Sequence, residues 1–296
     1  MEKTFILSCE SAVDLPYSYV NGRNISILFY TYSIDGELFV DNMQQDKSSL
    51  REFYEKLENG TISRTSQINE FKYYDYFDKL LKDSNVLHIC LGSGMSPSYC
   101  NALMAKELLE KKYPDRKLEI LDSLCSSAGY GLLVDVCADM KQNNKSMEEI
   151  IDWVLLNRNR IHHQFFSTNI KFLKRSGRIN GPTAFISTTL GICPLMRLNS
   201  EGKIVSYAKC RGVRRTLRSI FETVCRNCQN GLDYNKKMII YHSNSITNAL
   251  DLKRMIEEKF INLRGLIKVT EIGNIIGSHC GPGTVGISYF GSEREK

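Results

Sequence analysis

Short apolar runs alternate with amphipathic stretches along almost the whole chain. Phe5-Ile-Leu, Val86-Leu-His-Ile-Cys90 and Leu118-Glu-Ile-Leu121 have strand length, and such runs separated by helical patterns predict a mostly parallel sheet flanked by helices. Between the second and third, residues 99–112 place Leu103, Met104, Leu108 and Leu109 on one expected buried side, which makes this stretch a βαβ unit. After Ser146 the helical period is stricter. Met147, Ile150, Ile151, Val154 and Leu155 fall at i, i+3, i+4, i+7 and i+8, and Ser146 with Glu149 forms a capping-box signature.

Asn157-Arg-Asn-Arg160 interrupts the pattern, and the boundary between two units, residues 1–158 and 159–296, is placed there. The fold class that follows is α/β with two domains: an N-terminal, mostly parallel Rossmann-like sheet flanked by helices, and a C-terminal α/β domain. In the second unit, residues 204–208, 238–241, 267–272 and 285–290 predict strands, with helices near 211–226 and 246–260. A length of 296 residues suits two domains.

Composition narrows the class. Hydrophobic residues make up 42% and charged residues 24%, as in ordinary globular chains. Lys and Arg exceed Asp and Glu by 39 to 33, a surplus compatible with an acidic partner but too small, and too poor in interleaved aromatics, to argue for nucleic acid. The ten cysteines mostly sit in apolar or helical runs, where a thiol packs as a small hydrophobe and a reducing cytosol is expected. Cys225 and Cys228 form one C-x-x-C without a second, so a zinc or redox site is not expected from them. No apolar stretch reaches the length of a signal peptide core or a membrane span. The expectation is a cytoplasmic protein without stable membrane insertion.

Four polar, glycine-punctuated segments follow strand-like runs, where ligands gather in open α/β sheets. Ser8 to Asp14, taken alone, reads as a capped loop into a turn. Arg64-Thr65-Ser66-Gln67 reads as a turn, an N-cap or a set of hydroxyl donors. Gly92-Ser93-Gly94-Met95-Ser96-Pro97-Ser98-Tyr99 lies between a strand and a helix, a setting suited to phosphate or carboxylate. It matches neither the Walker nor the dinucleotide fingerprint. Gly273 to Gly283 reads as a strand running into a turn, with His279 among crowded glycines that imply a close backbone approach. His162 and His163 are adjacent and point apart, His88 belongs to an apolar strand, and His242 ends another. No sequence spacing indicates a metal site, and no serine elbow, zinc-protease motif or kinase set is present.

The serine-rich start Ser8-Cys-Glu-Ser11-Ala-Val-Asp14-Leu15, Thr65-Ser66-Gln67, the Ser93-to-Tyr99 segment, Asp122-Ser123, Leu173-Lys-Arg175-Ser-Gly-Arg178-Ile and Ile276-Gly-Ser-His279-Cys-Gly281-Pro-Gly283 together resemble the DegV family, in its order and over essentially the whole chain. The resemblance implies two α/β domains around a long-chain fatty acid, no cofactor, and the role of a non-enzymatic binding subunit in phospholipid synthesis. It would present the carboxylate to a separate ATP-dependent fatty acid kinase subunit that makes acyl phosphate, and an acyltransferase is a further partner in such a system. By position, Thr65 and Ser96 resemble the family's carboxylate donors, with Ser66 and Ser93 as neighbours and His279 as a further donor. Arg175, Arg178, Gly281 and Gly283 would lie at the domain junction or beside the ligand. Two departures stand out: Glu10 where the family's first loop carries Asp, and Ile68 where Pro is usual.

The alternative reading is a phosphotransferase or hydrolase using the Ser93 to Ser96 loop and His279. Finally, Arg211, Arg214, Arg215 and Arg218 recur at i, i+3, i+4 and i+7 of the helix expected near 211–226, opposite Val213, Leu217, Ile220, Phe221 and Val224, with Glu222 as their one acidic neighbour. These four are expected to meet an acidic surface of the kinase subunit or the phosphate end of acyl phosphate.

Overall fold

A computed structural model gives the structure of the chain and describes residues 4–179 and 191–296. The first half runs β1 (Phe5–Glu10), α1 (Tyr17–Asn21), β2 (Ser26–Leu28), β3 (Thr31–Ile34), β4 (Glu37–Val40), α2 (Lys47–Glu58), β5 (Ser63–Ser66), α3 (Glu70–Leu81), β6 (Asn85–Cys90), α4 (Ser98–Lys112), β7 (Leu118–Asp122), α5 (Ser127–Gln142) and α6 (Met147–Asn157). Four of its strands form a wholly parallel sheet in the order β2-β1-β6-β7. The other three form a small antiparallel sheet, β4-β3-β5.

The second half continues with β8 (Ile161–Ser167), α7 (Lys171–Arg175), β9 (Ile192–Leu198), β10 (Ile204–Arg211), α8 (Val213–Asn227), β11 (Ile239–His242), α9 (Ile246–Lys259), β12 (Lys268–Glu271), α10 (Asn274–Cys280) and β13 (Thr284–Phe290). Its six-stranded sheet, β10-β9-β8-β13-β11-β12, is antiparallel except for the β11–β12 pair. The protein is therefore α/β with two sheet-centred domains, the first Rossmann-like and the second built on a mixed sheet.

Local chemistry accounts for several elements. The α6 capping box forms as its signature predicts: Glu149 N donates to Ser146 Oγ, and Ser146 N donates to the Glu149 carboxylate. Helix α4 forms where expected but buries Ala102, Ala105 and Leu109, leaving Met104 and Leu108 about half exposed. Small alanines let α4 approach α3 and the sheet closely, so Met104 and Leu108, expected inside, lie outside. The segment read as a strand and turn before Gly283 is instead helix α10. Arg211 closes strand β10, and the helix after it begins at Val213 behind a Gly212 with φ +84°.

The two halves are tied together by polar contacts. Asp14 accepts from Gly273 N at 2.9 Å with its carboxylate and from Thr270 Oγ1 at 2.7 Å with its carbonyl. The buried Asp135 carboxylate meets Tyr19, Arg23 and Lys237.

Candidate functional site

In the order β2-β1-β6-β7, the chain departs to β2 on one side of β1 and to β6 and β7 on the other. The carboxyl ends of β1 and β6 thus border the crevice where open α/β sheets take ligands. A cavity lies there, the kind of place where small-molecule sites form. Tyr30, Leu91 and Met95 line it from the first half, and Phe165, Ile204 and Ile275 are among the apolar residues facing them from the second.

Thr65, His279 and Ser96 reach the cavity from β5, α10 and the entrance of α4. Strand β5 pairs with β3 in a register that places Thr65 opposite Tyr32. Ser63 and Thr65, two residues apart, share a face. They meet successive residues of α10: Ser63 Oγ lies 2.7 Å from Ser278 Oγ, and Thr65 Oγ1 lies 2.8 Å from His279 Nε2. Burial, reinforced by the Arg178 guanidinium, holds the His279 imidazole down at about 3, so it is neutral at physiological pH. With Nε2–H donating to Thr65, the threonine hydroxyl keeps its own proton for a ligand.

Ser96 stands at the entrance of α4. Its Oγ accepts from Ser98 N at 3.3 Å and lies 2.9 Å from Ser98 Oγ, which in turn accepts from Ile68 N at 3.2 Å. The helix start adds a partial positive field. Arg178 crosses between the halves, donating from Nε to Met95 O at 3.3 Å, and its own charged form is disfavoured by burial.

Of the residues singled out in the sequence, Thr65, Ser66, Ser96, Arg178 and His279 line this one cavity. Ser93 does not. Its hydroxyl donates to Asp122 Oδ2 at 2.5 Å and its N–H to Asp122 Oδ1 at 3.0 Å, so the end of β7 claims it. Arg175 is exposed and stacks over the Phe172 ring, 4.9 Å from its centroid. Gly281 and Gly283 do not line the cavity either. At φ +65° and +83°, they pass so close to Phe172 and Thr168 that an added Cβ would lie 2.2 Å from the ring and 2.1 Å from the hydroxyl. The close approach inferred from the crowded glycines is to the protein's own side chains.

Arg214, Arg215 and Arg218 are exposed on α8, with Arg211 behind them on β10. Their acidic relief is greater than the helix sequence suggested. Arg218 pairs with Glu222 at 3.1 Å, and α9 brings Asp251 and Glu258 to the groove lined by Arg214 and Arg218.

Residues 6–292 match the family model described as "uncharacterised protein, DegV family". The chain belongs to the DegV family. A DegV domain-containing protein of Clostridium perfringens is 33% identical over 99% of both chains. Among solved structures, a DegV lipid binding protein from Thermotoga maritima superposes with a TM-score of 0.83 at 21% identity, over 100% of both chains. The fatty acid kinase B3 protein of Streptococcus pneumoniae, loaded with linoleic acid, gives 0.82 at 17% identity, over 97% of this chain and 99% of that one. At those identities the likeness establishes the DegV fold.

The two departures from the DegV pattern have structural consequences. Ile68 supplies the N–H that Ser98 accepts, a bond that proline could not make. Glu10 is fully buried at the end of β1, where its carboxylate accepts from Tyr73 Oη, Tyr30 Oη and Leu91 N. Tyr30 went unnoticed in the sequence because nothing near it distinguishes a core tyrosine from a cavity one. Its hydroxyl nevertheless joins Glu10 to the Ser96 and Ser98 pair.

Proposed function

We propose that this protein binds one long-chain fatty acid in the cavity and presents the carboxylate to a separate ATP-dependent kinase subunit, which forms acyl phosphate. The observation that carries the reading is a single cavity that combines the hydroxyls of Thr65 and Ser96, the first held by the neutral His279, with apolar side chains such as Leu91, Phe165, Ile204 and Ile275. A carboxylate leaving water needs several hydrogen bonds. Hydroxyls, one of them oriented by a neutral imidazole, supply them without locking the acid in an ion pair, so it stays available for phosphorylation. Burial of the tail, at roughly 0.8 kcal/mol per methylene, favours tight, slowly exchanging binding, as suits a carrier. The solved relatives named for lipid, or loaded with linoleic acid, support the same reading.

The phosphoryl chemistry belongs to the partner in this scheme. A hydrolase or phosphotransferase reading would need His279 to activate a serine nucleophile, yet His279 bonds Thr65, while Ser96 bonds Ser98 and Ser93 bonds Asp122. The exposed Arg214 and Arg215 on α8 are the candidate contact for an acidic surface of the kinase subunit. The test is acyl phosphate formation by a bacterial fatty acid kinase subunit supplied with this protein, ATP and oleate. Turnover that requires this protein and falls sharply in Ser96→Ala supports the proposal. Fatty acid bound by the protein but never phosphorylated would remove the kinase part of it.

A further inference from the structure

Behind the cavity wall, the ends of β1 and β6 bring Glu10, His88 and Cys90 together. Their ligand-type atoms lie within 4.8 Å of one another, and all three residues are buried. His88 and Cys90, two apart on β6, share one face of the strand, and Glu10 comes from the neighbouring parallel strand. Sequence spacing could not reveal this group because it spans two strands almost eighty residues apart.

Three observations point to an ion. First, His88 Nε2 is buried without a hydrogen-bond partner. It lies 3.6 Å from Glu10 Oε1, beyond a normal hydrogen bond but close to the separation of about 3.4 Å expected between N and O ligands of one tetrahedral zinc. Second, the other ring nitrogen is fixed. Nδ1 lies 2.5 Å from Ser8 Oγ; when it donates there, the Nε2 lone pair faces the carboxylate, the arrangement in which a metal-binding imidazole is held by its outer partner. Third, Tyr30 Oη and Leu91 N occupy Glu10 Oε2, while Oε1, which accepts from Tyr73 Oη, is the oxygen that faces His88. The rings of Tyr73, Tyr76 and Phe77 stand around the imidazole, with centroids 5.0 to 6.2 Å away, and exclude water.

We propose that Glu10, His88 and Cys90 bind one Zn²⁺ ion that ties β1 to β6 directly behind the cavity. The donor set of one imidazole, one carboxylate and one thiolate suits zinc. It also makes a neutral cluster, with two negative ligands against the divalent ion, which a fully buried site requires. The Cys90 thiol gives up its proton to solvent when the ion is taken up. The Tyr73 hydroxyl, which donates to Glu10 Oε1 and touches Cys90, offers its oxygen lone pairs as the fourth donor. Because Leu91 N and Tyr30 Oη bond Glu10 on one side and both residues line the cavity on the other, the ion would stiffen that wall. Closed burial implies uptake during folding and slow loss afterwards.

The experiment uses the full chain, purified without a metal-affinity step, in a Cys100→Ser, Cys225→Ser, Cys228→Ser background that removes the exposed thiol and the C-x-x-C pair. Elemental analysis should find about one zinc per chain, retained when the folded protein is dialysed against EDTA and lost in both His88→Gln and Cys90→Ser. Refolding the background protein with one equivalent of Co²⁺ should give a thiolate-to-cobalt charge-transfer band, a readout that survives if either variant fails to fold. Protein without metal both as purified and after refolding with Zn²⁺ or Co²⁺ would overturn the proposal. So would metal retained in full by folded His88→Gln and Cys90→Ser.

Discussion

Asp14→Asn should make the protein more stable at neutral and alkaline pH, and the gain should vanish in acid. Asp14 is fully enclosed at the seam between the halves. Burial, opposed by bonds from Ser127 and Gly273 and assisted by the charge of Asp41, raises its carboxyl from 3.8 to about 7. A carboxyl raised in this way contributes its stability fully below the unfolded value of 3.8, and that contribution is lost as pH rises through about 7. At pH 8 the ionised form therefore costs the fold about 4 kcal/mol relative to the neutral acid. Asparagine cannot ionise. Its oxygen can still accept from Gly273 N, its amide can donate to Ser127 Oγ once that hydroxyl turns, and it tolerates the φ of +49° at this position. Urea unfolding of both proteins across pH 4 to 8 measures the difference. We expect the variant's advantage to grow with pH, reaching a substantial part of about 4 kcal/mol after the loss of a charge-assisted bond is subtracted. Parallel stability profiles over the whole range would refute the argument, because they would mean that Asp14 titrates alike in the folded and unfolded chains.

Thr65→Val keeps the strand-favouring shape but removes the hydroxyl beside His279; fatty acid affinity should fall by roughly 1–3 kcal/mol, or about 5- to 150-fold, in a displacement titration. Gly281→Ala meets both a left-handed backbone and the Phe172 ring, and should cost roughly 2–5 kcal/mol in chemical denaturation. Ser146→Ala removes the α6 capping box, with an expected loss of about 1 kcal/mol in the same measurement.

Three of the four parallel strands, β1, β6 and β7, and the α6 helix were legible because buried strands are continuous apolar runs and a capping box is a local signal, whereas the three-residue β2 is too short to show a pattern. The small antiparallel sheet was not. Strand β5 reads Ser63-Arg-Thr-Ser66, polar throughout, and β4 leaves Leu38 and Val40 exposed, so neither shows the pattern of a core strand. Helix α10 escaped because Gly277, Ser278 and Cys280 are modest helix formers and its burial comes from packing against strands distant in sequence. Thr65, Ser96 and His279 were grouped by family resemblance alone; no spacing links residues so far apart in the chain. The acidic neighbours of Ser93 and of the basic face of α8 were not legible for a common reason, since Asp122, Asp251 and Glu258 reach them only after folding.

The central claim is that the cavity holds a fatty acid. Native mass spectrometry of the protein freshly purified from a bacterial host, followed by solvent extraction and lipid analysis, tests it most directly. The account predicts a mass increment of one fatty acid on most molecules and recovery of that acid in about equal amount to protein. A chain that emerges free of lipid, and still binds none when long-chain fatty acids are added, would contradict it.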